Sequence, residues 1–155
     1  MRIVLLEDNH LQAEVICRHL RENLRLHEED IPCIKTERDF RKSLAEGAFE
    51  SFQPDVFVLD VMVRWMDPEP DAEDDRPEDV KDEGYYKAGM RCARLLRDSG
   101  CKTPIILFTI VEKLEVQREL EKGGHAIADL VTITKKGDLS ELVECLRRAG
   151  RSAST

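Results

Sequence analysis

Runs of consecutive aliphatic residues recur five times along the chain, over residues 2–6, 31–35, 56–59, 104–108 and 130–134. Each is about as long as a β-strand. Three of them, IVLL, VFVL and PIILF, are apolar without interruption. That is the pattern of central parallel strands covered on both faces; a half-exposed antiparallel strand would alternate. Between the runs, apolar positions return at helical spacing. Asn9 can cap a helix carrying Leu11, Val15, Leu20 and Leu24, Thr36 a second with Phe40 and Leu44 inward, and Asp138 a last one with Leu139, Leu142, Val143 and Leu146 inward. Residues 88–97 and 112–122 supply two more, stopped by Ser99 and Gly100 in one case and by Gly123 and Gly124 in the other.

Strands and helices therefore alternate five times, and right-handed crossovers fold such a chain as a doubly wound parallel sheet. The expected fold class is α/β, a flavodoxin-like (βα)5 arrangement with strand order 2-1-3-4-5. A length of 155 residues suits one domain, expected over residues 1–149 with a short tail at 150–155 and no attached output domain. In such sheets ligands bind beyond the carboxyl ends of the strands, at the switch point between the first and third.

Composition narrows the function. The formal net charge is -8, which disfavours nucleic acid or an anionic membrane surface as a partner. Residues 67–83 hold ten acids against Arg76 and Lys81, and the rest of the chain is neutral, so one proline-bearing segment carries the whole excess. It reads as a solvated insertion. The five cysteines form no C-x-x-C pair and no metal-spaced cluster, and no apolar stretch approaches the roughly 20 residues that span a bilayer. Reduced thiols and a cytoplasmic setting are expected.

The chemistry should stand where the strands end. The first ends in Glu7 and Asp8, the third in Asp60, the fourth in Thr109 and the fifth in Lys135. Crowded carboxylates raise one another's pKa unless a cation sits among them, and hard oxygen ligands suit Mg²⁺. An Asp can also accept a phosphoryl group, whose charge would need a metal, a hydroxyl and a lysine to balance it.

At these residues the sequence resembles the receiver domain of two-component response regulators. The matching pieces are IVLLEDN, PDVFVLDV, TPIILFT and TKKGDLSEL, in order and spread over about residues 2–148. The resemblance implies a phosphoacceptor at Asp60 and Mg²⁺ or Mn²⁺ held by Glu7, Asp8, Asp60 and the backbone carbonyl of Met62. It also implies phosphoryl contacts from Thr109 and Lys135. The function so implied is a single-domain response regulator, a switch and not an enzyme. A histidine kinase or phosphotransfer protein would phosphorylate it, and an unknown downstream protein would read it out. The face around the fourth and fifth helices would serve for docking or for a homodimer. The alternative is a pseudo-receiver, an interaction module that works without phosphorylation.

Several residues depart from that family's pattern. The glycine that opens the helix after the acceptor is matched by Gly89, which places about twenty extra residues in an insertion over about 64–86. Ile110 follows Thr109 where a small residue is usual, Lys136 stands in place of a proline after Lys135, and Thr132 takes the place of the switch aromatic. Asp67, Glu69, Asp71 and Glu78 mimic a calcium loop only loosely, since Ala72 stands at the turn position that requires glycine. A haloacid-dehalogenase-like phosphatase needs a second Asp two residues after the first, and that residue is Met62.

Overall fold

The uninterrupted apolar runs lie inside one parallel sheet, buried on both faces. The structure is a computed structural model that describes residues 1–66, 76–122 and 131–152. Its strands are β1 (Ile3–Leu6), β2 (Cys33–Ile34), β3 (Val56–Leu59), β4 (Ile105–Thr109) and β5 (Val131–Lys135), in the order β2-β1-β3-β4-β5. The expected flavodoxin-like topology is present. Strand β2 is shorter than the apolar run 31–35, because Pro32 has no N–H to give to a ladder and contributes only its carbonyl, to Leu5 N.

Alternation along the strands divides the core into two layers. Val4, Leu6, Phe57, Leu59, Ile105 and Leu107 face one layer, packed by α2 (Glu37–Ala45), α3 (Ala48–Phe52), α5 (Ala88–Asp98) and α6 (Lys113–Lys122). Ile3, Leu5, Val56, Val58, Ile106 and Phe108 face the other, covered by α1 (His10–Leu24) and α7 (Leu139–Ser152). The expected caps form. Asn9 Oδ1 accepts from Gln12 N at 3.0 Å, Thr36 Oγ1 from Asp39 N at 3.1 Å and Asp138 Oδ1 from Glu141 N at 2.9 Å.

Helix α1 turns inward only the later part of the expected set, Leu20 and Leu24, and replaces the earlier part with Ala13 and Ile16. Ala13, Ile16 and Leu20 are buried, while Leu11 is 72% and Val15 52% exposed. Both sets have helical spacing, and contact with the β1 and α7 side of the sheet selects between them. Helix α7 also runs beyond Ala149 to Ser152. Two short helices were not foreseen. One is α3, which seats Phe49 against Phe40 and Phe57 at centroid distances of 5.0 and 5.1 Å. The other is α4 (Glu78–Glu83), which buries Val80 within the stretch expected to be a solvated insertion. Asp67, Glu69, Asp71, Glu73, Asp74, Asp75, Gly123, Gly124, His125 and Leu130 lie outside the described residues. All five cysteines are unpaired, and no helix among the described residues is long and apolar enough to cross a membrane.

Gly89 fixes where α5 starts relative to the sheet. Its N–H reaches Val61 O at 3.0 Å, and a Cβ at this position would lie 2.2 Å from Asp60 O and 2.9 Å from Val61 Cα. Both neighbours are backbone, so neither can yield without moving the strand end. Gly89→Ala should therefore cost about 2 kcal/mol or more of stability, read as a lower urea midpoint. An unchanged midpoint would show that the helix and the strand end do not approach this closely.

Candidate functional site

The register of the sheet assembles the acids. Leu6 pairs with Leu59, so β1 and β3 finish level and the next residues, Glu7 and Asp60, emerge side by side. Their backbones are pinned: Glu7 N donates to Ile34 O at 3.0 Å and Asp60 N to Leu6 O at 2.9 Å. Glu7 is 1% exposed, Asp60 5%, and Asp8 is half-buried. One carboxylate oxygen from each of the three lies within 4.8 Å of the others.

Burial raises the pKa of Asp60, and Lys136 opposes that rise while Asp8 adds to it. Glu7 is also pushed up, by burial first, with Asp60 contributing and Lys136 and the Asn9 N–H opposing. The counter-charge is Lys136. Its Nζ lies 2.7 Å from Asp60 Oδ2 and 2.5 Å from Glu7 Oε2. Burial works against this ammonium, but the two carboxylates outweigh it and hold its pKa above the ordinary value.

Lys135, the lysine first assigned to this place, points elsewhere. Its Nζ pairs with Glu112 at 3.4 Å and its side chain is 57% exposed. The reason is strand parity. Lys135 is in register with Thr109 as the last residue of β5, and neighbours on a strand face opposite sides. Lys135 follows Val131 and Ile133 onto the α6 side of the sheet. Thr134, paired with Phe108, and then Lys136 alternate onto the α1 and α7 side, the side that Glu7 and Asp60 continue from Leu5 and Val58. Lys136 N donates to Thr109 O at 2.9 Å. The sequence offered the signal in its pair of adjacent lysines, but only the register chooses between them.

The remaining expected residues surround the cluster. Thr109 is fully buried, and its Oγ1 accepts from Val111 N at 3.1 Å. Met62 N approaches Asp60 Oδ1 at 3.4 Å. Two further groups were missed. Arg64 places both its backbone N and its Nε 3.1 Å from Asp8 Oδ2. Glu37, fully buried in the first turn of α2, takes a two-point contact from buried Arg91 at 2.9 and 2.7 Å and another contact from Arg41. Arg41 also bonds Asp79 of α4 at 2.7 Å and lies over the Trp65 ring, 5.6 Å from its centroid. A cavity of about 540 Å³ opens beside Asp8, between the Arg64 and Trp65 loop and Val80 of α4.

The donor set fits a hard divalent cation. The three convergent ligand atoms are all carboxylate oxygens, and Glu7 Oε2 is buried against the Lys136 ammonium. Glu7, Asp8 and Asp60 could therefore hold such a cation with waters completing its shell.

No protein-family model matches the chain, and no curated protein matches it by sequence. The solved structures that it matches include response regulator receiver domains. The receiver domain of the Francisella response regulator 1452 superposes with a TM-score of 0.65 at 16% identity, covering 98% of each chain. A response regulator receiver protein from Pseudoalteromonas atlantica gives 0.64 at 12% identity, covering 99% of each. The non-phosphorylated receiver domain of the stress response regulator RcsB from Escherichia coli gives 0.59 at 12% identity, over 98% of this chain and 94% of the other. At such identities the likeness is one of fold, and the described residues have the receiver-domain fold.

The raised pKa of Asp60 carries a sign for stability. The folded state favours the protonated acid, so its contribution is present at low pH and is lost as pH rises through the folded-state pKa. Ionised Asp60 thus costs stability at neutral pH. In chelator, Asp60→Asn should unfold at a higher urea concentration than the parent at pH 7. The gain should shrink as pH is lowered toward the ordinary carboxylate range. A less stable variant at pH 7 would contradict this.

Proposed function

We propose that the protein is a phosphorylation-controlled receiver, with Asp60 accepting a phosphoryl group from a histidine kinase or phosphotransfer protein. The observation that carries this reading is the convergence of Glu7, Asp8 and Asp60 at the ends of β1 and β3, with Lys136 on two of them. In the transfer, an Asp60 carboxylate oxygen forms the new O–P bond while the N–P bond of a phosphohistidine breaks, and the histidine keeps the electron pair. Glu7, Asp8, Asp60 and the Met62 carbonyl would hold Mg²⁺ or Mn²⁺, which when bound would supply charge stabilisation to the transferring oxygens. Lys136, in place of Lys135, pairs with the phosphoryl group, and the Thr109 hydroxyl turns from Val111 N–H to meet it. Receiver-domain extent over residues 1–149, with residues about 64–86 as an insertion, is part of the same reading. So are a cytoplasmic setting and output through a partner protein docked near α6 and α7 or through a homodimer.

The pseudo-receiver alternative has one observation in its favour. Asp60 is 5% exposed, with Lys136 on one oxygen and Met62 N near the other. Labelling separates the two readings. With Mg²⁺ and a small phosphodonor, the parent should acquire one acid-stable, base-labile phosphoryl group and Asp60→Asn none. Lys136→Ala should abolish the fluorescence change of Trp65 on Mg²⁺ and beryllofluoride addition, whereas Lys135→Ala should keep it. No labelling of the parent would favour the pseudo-receiver, and loss in Lys135→Ala alone would return the role to that residue.

A further inference from the structure

Resting on the metal site just proposed, we infer that the Arg64 guanidinium is a built-in competitor of the divalent cation at Asp8, so that metal loading and release of the Arg64 side chain are one coupled event. Three observations lead there. First, Arg64 gives Asp8 Oδ2 two hydrogen bonds of 3.1 Å, from its backbone N and its Nε, and its terminal nitrogen adds one of 3.4 Å to Asp8 O. A guanidinium so placed stands beside the oxygens that would surround a metal, and a divalent ion there meets like charge at contact range. Charge balance points the same way: the three carboxylates carry -3, and Lys136 with Arg64 already returns +2.

Second, the backbone at Arg64 is fixed independently of its side chain. The carbonyls of Arg64 and Trp65 accept from Glu37 N and Arg38 N, both at 3.0 Å, which ties the loop to the first N–H groups of α2. The buried contacts of Glu37 with Arg91 hold that helix end in turn. The Arg64 side chain is 41% exposed. The contacts with Asp8 that can separate are therefore those of the guanidinium, through Nε to Oδ2 and through a terminal nitrogen to the carbonyl, and the backbone N–H can stay on Asp8 after they have gone.

Third, the released group has somewhere to go. The 540 Å³ cavity is lined by both Asp8 and Arg64, and by Trp65 and Val80 across it. The exchange moves a cation from the acid cluster toward the face built by α4, so it joins metal occupancy to the insertion. No other basic side chain among the described residues contacts Asp8.

Two readouts test this without any phosphodonor. Mg²⁺ titration by calorimetry should show Arg64→Gln binding on the order of five- to tenfold tighter than the parent, the effect being modest because the side chain is partly solvated. Lys135→Gln, which removes a rim cation paired with Glu112, should stay within about twofold of the parent. In the parent, the Arg64 Nε–H signal in NMR should move from its hydrogen-bonded position with the same midpoint as the calorimetric curve. Equal affinities for the parent and Arg64→Gln, or an Arg64 Nε–H signal unmoved at saturation, would overturn the competition while leaving the metal site standing. Failure of both proteins to bind Mg²⁺ would remove the metal site itself, and the competition with it.

Discussion

Three carboxylates brought to one rim by parallel strands repel one another, and the ammonium of Lys136 between Glu7 and Asp60 is what makes their convergence tolerable. The rest of the site is arranged around that contact. Level ends of β1 and β3 place the two acids, the β4 and β5 register turns Lys136 inward, and Thr109 O fixes the backbone from which it reaches. Because the ammonium serves two buried acids, the site holds an ion pair whose partners could be redistributed when a further charge arrives. Such a balanced set of charges responds to one more.

Much of the fold was legible because both of its signals are local. Continuous apolar runs in VFVL and PIILF mark strands covered on both faces, and Asn9, Thr36 and Asp138 mark helix starts by side chains that bond their own first turn. The acids were legible for a related reason, since Glu7 and Asp60 follow directly, and Asp8 one residue later, on strands whose position in the sheet could be foreseen. What escaped depends on three dimensions. Whether Lys135 or Lys136 lies on the side of the acids is decided by pairing with β4, and whether Leu11 and Val15 or Ala13 and Ile16 join Leu20 against the sheet is decided by what α1 packs against.

The buried Glu37 and Arg91 pair escaped for the same reason, its partners being separated by 54 residues. A buried ion pair is a poor source of net stability, but breaking one side leaves an uncompensated charge, so it fixes geometry firmly. Here it joins the start of α2 to the first turns of α5, and Arg41 carries the linkage on to Asp79 of α4. The acidic insertion, which composition alone marked as a solvated excursion, is thus tied at its described end to the framework that positions Arg64 and Trp65 beside the acids. Val80 and Trp65, both buried, add an apolar side to that attachment.

The claim on which the account turns is that the acids at the ends of β1 and β3 form one cation-binding centre. Anomalous diffraction from crystals grown with Mn²⁺ tests it most directly. The account predicts a single strong peak within coordination distance of carboxylate oxygens from both Asp8 and Asp60, absent in Asp8→Asn. A peak at some other group of acids, or none at all at saturating Mn²⁺, would contradict it.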